Sequence, residues 1–194
     1  MQRVKMIKNT YFHPKIETFN QNEKVPNFTD AKIMKSGTDL TLISLSYGVI
    51  ECIKIAEVLS EFNLTAEVIN LRSIQPWDKR TVLESVRKTQ KAVLLDTGHL
   101  EFGLTGEVSS TIYSELFGAL SNPILRFGLP MEPTPSSAAL AIDHYPTIEK
   151  MLGEIKSHFG FKYDLGKAIT VFKEKFPYKS KHKDQPDVGV VGPF

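Results

Sequence analysis

The 194-residue chain sets 24 Lys and Arg against 22 Asp and Glu, a formal charge of +2 at pH 7, and 41% of its residues are hydrophobic. That length and balance suit one modest soluble domain able to bury its own core. The charge is too small to imply nucleic acid, no apolar run approaches the ~20 residues that span a bilayer, and the lone Cys52 has no internal disulfide partner, which points to a reducing compartment.

Residues 1–24 are polar with scattered aromatics (Tyr11, Phe12, Phe19), and they read as an extended arm that needs a partner. Its start, MQRVKMIKNTYFHPK, is basic and free of acidic residues like a matrix-targeting peptide, yet it lacks serine and arginine enrichment, so the expected compartment is the mitochondrial matrix or the cytoplasm. A core domain is expected over 25–159. Within it Leu40, Leu42, Ile43 and Leu45 form the near-continuous apolar run of a parallel strand buried on both faces. From Gly48 the apolar positions Val49, Ile50, Cys52, Ile53, Ala56, Leu59 and Phe62 recur every three or four residues, which predicts a helix with Cys52 on its core face and Asn63 as its stop. Ala66, Val68, Ile69 and Leu71 supply a second strand, joined to the first by a right-handed crossover.

The next loop holds Arg72, Pro76, Trp77 and Asp78. Asp78 is placed to cap a helix over Arg80–Thr89, and a structural contact of Arg72 with Asp78 or with nearby backbone is expected. Trp77, the only tryptophan, either packs back on the core as a lid or is presented to a partner. A strand over Lys91–Asp96 leads into a loop with His99 and Glu101, and Gly103-x-x-Gly106-Glu107 opens another helix, with Thr105 as its expected cap and Glu107 in its first turn. A further strand in PILRFGL, a rigid proline crossover over Pro130–Ser137 and an amphipathic helix ending at Phe159 complete the core. The extension 160–194 allows a short helix in FKYDLGKAITVFKEKF and then becomes lysine-rich; Phe176, Tyr178 and Phe194 have no evident place in the core. The fold expected from this order is a three-layer α/β/α domain around a mainly parallel sheet of about five strands, with the last connection the candidate for an antiparallel edge.

The order GTD, strand, Gly-led helix, strand, LRSIQPWD, followed by KAVLLD, HLEFGLTGEV, PILRFGLPMEPTPSSAAL and HYPTIEKMLGEIKSHF, resembles the C-terminal domain shared by transketolase-type enzymes. Among these it is most similar to the β subunit of thiamine-diphosphate-dependent 2-oxo acid dehydrogenases, over Val25 to about Phe159. That family binds its cofactor with a Gly-Asp-Gly followed by Asn-Asn or a close variant, because the Mg²⁺ on the diphosphate needs carboxylate and amide oxygens. Neither element occurs in this chain, and the residues before Val25 are too few for the pyrimidine-binding domain that supplies the family's glutamate. The resemblance therefore implies a non-catalytic assembly domain. It would bind no cofactor itself, thiamine diphosphate and Mg²⁺ would sit in a partner chain, and the partners would be protein subunits of a larger complex. Alternatives left open are recruitment of the same domain as a structural accessory subunit of an unrelated complex, and a small-molecule regulatory module. Whether the chain forms part of an enzyme stays open.

Arg72, Trp77, Asp78, His99 and Glu101 are the candidate site residues, because open α/β sheets place ligands and partners outside the carboxyl ends of their strands. His99 and Glu101, with Asp96 close by, are residue types that bind metals or move protons; on one loop without a second cluster, the same residues suit a solvated surface or an interface.

Overall fold

The computed structural model describes residue 27 and the stretches 29–135 and 144–177. Its elements run β1 (Lys32–Lys35), β2 (Leu40–Ser44), α1 (Tyr47–Ser60), β3 (Ala66–Asn70), α2 (Lys79–Thr89), β4 (Ala92–His99), α3 (Leu104–Leu116), β5 (Leu125–Leu129), α4 (Ile148–Phe159) and α5 (Leu165–Lys175). The sheet order is β1-β3-β2-β4-β5, with β3, β2, β4 and β5 parallel and β1 antiparallel to β3. Side chains of alternate strand residues face opposite layers. Leu40, Leu42, Val93, Leu95 and Phe127 pack with α1, α4 and α5, whereas Ile43, Ile69, Ala92 and Leu94 pack with α2 and α3. Helices thus cover both faces, which is why β2 is buried along its whole length, with the apolar Leu40, Leu42 and Ile43 interrupted only by the buried hydroxyls of Thr41 and Ser44.

Among the described residues the antiparallel edge is β1, ahead of β2 in the chain, and not a strand of the last connection. Helix α3 carries the chain back along the sheet, so β5 enters parallel to β4, while β1 pairs antiparallel on the far side of β3. To reach β2 the chain must cross the beginning of β3, and Gly37 is the crossing point. A Cβ there would lie 2.3 Å from the Ala66 carbonyl carbon and 2.5 Å from the Glu67 amide nitrogen, so no other residue lets the two backbones come so close.

Asn63 adopts a left-handed conformation (φ 58°) just past the end of α1, in keeping with a helix stop. Helix α3 begins differently from the expectation. Gly103, not Thr105, holds the N-cap position, and Thr105 lies inside the first turn, buried, with a hydroxyl that has no partner. Gly103 is fixed by crowding: its Cβ would fall 2.0 Å from the His99 carbonyl oxygen.

Beyond α4 the chain continues onto the same core. Asp164 caps α5 by accepting from the Lys167 amide (2.9 Å), Ala168 is fully buried, and the Tyr163 hydroxyl donates to the Leu152 carbonyl (2.6 Å). Tyr163 also packs on Phe62, and Lys175 pairs with Glu61 of the turn after α1. Phe176, expected to lack a place in the core, is partly buried against it with its ring 6.0 Å from that of Phe172; the helical spacing of Phe172 and Phe176 brings both onto one face. The arm 1–24, Tyr178 and Phe194 lie outside the described residues.

Candidate interface at the carboxyl edge of the sheet

Strands β2, β3, β4 and β5 are parallel and end at Ser44, Asn70, His99 and Leu129, so their exits form one edge of the molecule. All five candidate residues lie on it. Asp78 caps α2: one carboxylate oxygen accepts from the Thr81 amide (3.0 Å), and the other accepts from the Thr81 hydroxyl (2.6 Å) and the Ala31 amide (3.2 Å). Burial pushes this carboxyl up, but the Thr81 and Ala31 donors outweigh it and hold the group below the usual carboxylate range.

With those oxygens taken, the first of the two contacts expected of Arg72, with Asp78 or with nearby backbone, is not formed. Arg72 is exposed, with left-handed backbone (φ 61°) and its amide donating to Asn70 Oδ1 (3.0 Å). Trp77 takes the lid position: it is 6% exposed, packed in the layer of α2 and α3, with the Lys79 ammonium 5.7 Å from its ring centroid. His99 is exposed and donates from Nδ1 to the Pro130 carbonyl (2.8 Å), which ties the exits of β4 and β5 together. Glu101 is exposed one turn of loop further on. His99, Glu101 and Asp96 do not converge. Among the described residues no three His, Cys, Asp or Glu side chains are grouped to hold a metal, and Asp96 and Asn70 each spend an oxygen on a local amide. The described oxygens at this edge therefore do not fit a Mg²⁺-diphosphate site, which needs several free carboxylate and amide ligands converging on one point.

What the edge does present is apolar surface. Phe102 is 97% exposed, Ile74 and Met131 are each 57% exposed, and Tyr145 is 39% exposed. Ile74 follows β3, Phe102 follows β4 and Met131 follows β5. Tyr145 precedes α4, whose opposite end is pinned at the entry of β5 by His158 Nε2 on the Pro123 carbonyl (2.6 Å), so α4 starts at the carboxyl edge. The backbone is strained at the same edge: Ser46 (φ 54°), Arg72 (φ 61°) and Phe102 (φ 56°) follow β2, β3 and β4 in the left-handed region that side chains disfavour. No pattern in the sequence sets Phe102 apart from the phenylalanines of the core. The crowding at Gly103 fixes the glycine one residue later, and the left-handed turn falls on Phe102.

Residues 29–151 match the family described as Transketolase, C-terminal domain. This chain belongs to that family. It is 38% identical over 122 residues to the pyruvate dehydrogenase E1 component subunit beta-1, mitochondrial, of Arabidopsis thaliana, covering 63% of this chain and 34% of that protein. The pyruvate dehydrogenase E1 component subunit beta, mitochondrial, of Saccharomyces cerevisiae is 34% identical over 151 residues, covering 73% of this chain and 41% of the yeast protein. Among solved structures, a split gene transketolase in an inactive beta4 tetramer superposes with a TM-score of 0.60 at 20% identity, over 76% of this chain and 46% of that one; the likeness is one of fold. The chain spans about a third of the length of the plant relatives it matches and 41% of the yeast one.

Proposed function

We propose that this chain is a non-catalytic assembly domain of the kind found in the β subunit of 2-oxo acid dehydrogenases, and that it associates with other protein subunits through the carboxyl edge of its sheet. The observation that carries the reading is that Ile74, Phe102, Met131 and Tyr145, four of the seven large apolar side chains exposed among the described residues, lie at the strand exits or the helix start of the carboxyl edge; Ile33 and Met34 on β1 and Phe117 after α3 are the other three. Exposed apolar groups collected in one place mark contact surfaces, and aromatic residues anchor them. Arg72 and Glu101 supply the polar rim of that contact, and His99, Trp77 and Asp78 hold the loops that present it.

In this reading thiamine diphosphate and its Mg²⁺ belong to a partner chain, and the matrix of the mitochondrion is the compartment, as the names of the plant and yeast relatives suggest. The split gene transketolase is described as a β tetramer without activity, which is the behaviour proposed for a chain that assembles but does not catalyse. The test is native purification of the full chain, with the wild type compared with Phe102→Asp. Recovery of a thiamine-diphosphate-binding subunit with the wild type, and its loss with the variant, is the expected result. An unrelated set of subunits would replace the dehydrogenase assignment with recruitment into another complex, and a strictly monomeric wild-type chain would overturn the assembly role.

A further inference from the structure

We draw no further inference here: the strongest candidate, the amino-terminal turn of α3, where the Arg126 guanidinium lies beside Gly106, carries nothing because the unpartnered Thr105 hydroxyl of that turn is sealed on the same core-facing stripe as Val108 and Ile112 and no second observation points to a ligand.

Discussion

Asp78 and Ala31 stand 47 residues apart in sequence, yet the Asp78 carboxylate accepts the Ala31 amide at 3.2 Å while the same side chain caps α2. One residue thus terminates a helix and fastens the segment entering the edge strand β1. Asp78→Ala is expected to cost more than a simple cap, about 1–3 kcal/mol, by losing the capping bonds and a charge-assisted bond to Ala31 together. Asp78→Asn, which keeps acceptor oxygen without charge, should recover part of that loss. Urea unfolding of the three proteins checks it; a wild-type midpoint in the alanine variant would show that neither bond contributes.

The Glu67–Lys88 pair predicts a pH dependence. Glu67 lies on β3, next to the edge strand β1, with its side chain 3% exposed, and Lys88 on α2 is 44% exposed. Burial pushes the Glu67 carboxyl up, but Lys88, Ser85 and the Gly37 amide bring it below its ordinary value. A depressed folded value contributes stability that is present above the unfolded carboxylate range and is lost as pH falls through the folded one. Lys88→Ala should therefore cost about 1–2 kcal/mol at pH 7, less than a fully buried pair because water reaches the lysine. That difference should shrink at acid pH, as Glu67 takes up its proton first in the variant and, at lower pH, in the wild type as well. Unfolding curves at pH 7 and at acid pH give the answer, and a pH-independent difference would assign the loss to packing alone.

Much of this fold could be read from the chain before the structure. The apolar run Leu40–Leu45 and the periodicity from Val49 to Phe62 identify β2 and α1 because a strand covered on both faces and a helix covered on one leave distinct patterns. Two features had no such signal. Strand β1 is half exposed, with Ile33 and Met34 on the surface, so KIMK shows neither alternation nor a buried run. Phe102 is 97% exposed with left-handed backbone, and its place on a loop tip beside a crowded glycine is a three-dimensional feature invisible in a line of residues. The cap by Asp78 is legible because a carboxylate just ahead of a helical run is a common N-cap, whereas its second bond, to the Ala31 amide 47 residues away, leaves no mark in the local sequence.

Gly37→Ala should be among the most damaging single substitutions in the described residues. The new methyl group meets backbone atoms of Ala66 and Glu67, which cannot rotate away as a side chain would, so the crossover must lift off β3 at a cost of roughly 2–4 kcal/mol. Gly118→Ala is the matched control: no atom lies within 4 Å of its added Cβ, and a small gain of up to about 1 kcal/mol is expected from the stiffer unfolded chain. Thermal melts of the pair would contradict the crossing geometry if the two variants behaved alike.

Helix α5 should stabilise the domain and not behave as a loose appendage. Ala168 is fully buried against the layer formed by α1 and α4, so Ala168→Glu places a charge where there is neither room nor a partner and should detach the helix. Limited proteolysis would then cut the variant near residues 160–164 while the wild type resists. Tyr163→Phe, which removes only the hydroxyl bonded to the Leu152 carbonyl, should cost about 0.5–1.5 kcal/mol without changing the cleavage pattern. Equal cleavage of wild type and Ala168→Glu at that site would mean that α5 is not held in solution.

The carboxyl edge gives the most discriminating test, because stability and association should move in opposite directions. Phe102 is 97% exposed and left-handed, so its side chain contributes almost nothing to the isolated fold while its backbone carries a strain of about 1–2 kcal/mol. Phe102→Gly removes the ring and relieves the strain. The isolated chain should melt at a higher temperature, and its association with partner subunits should weaken at least tenfold if the ring is an interface anchor. Trp77→Ala should do the reverse at its source, costing about 3–5 kcal/mol of folding stability because the ring is buried, with assembly falling only through loss of folded protein. Melting curves and sedimentation of the two variants, alone and with co-purified partners, separate the roles. Unchanged association in Phe102→Gly, with the expected rise in stability, would show that the strain is real but that the exposed ring at this edge is not what the partner grips.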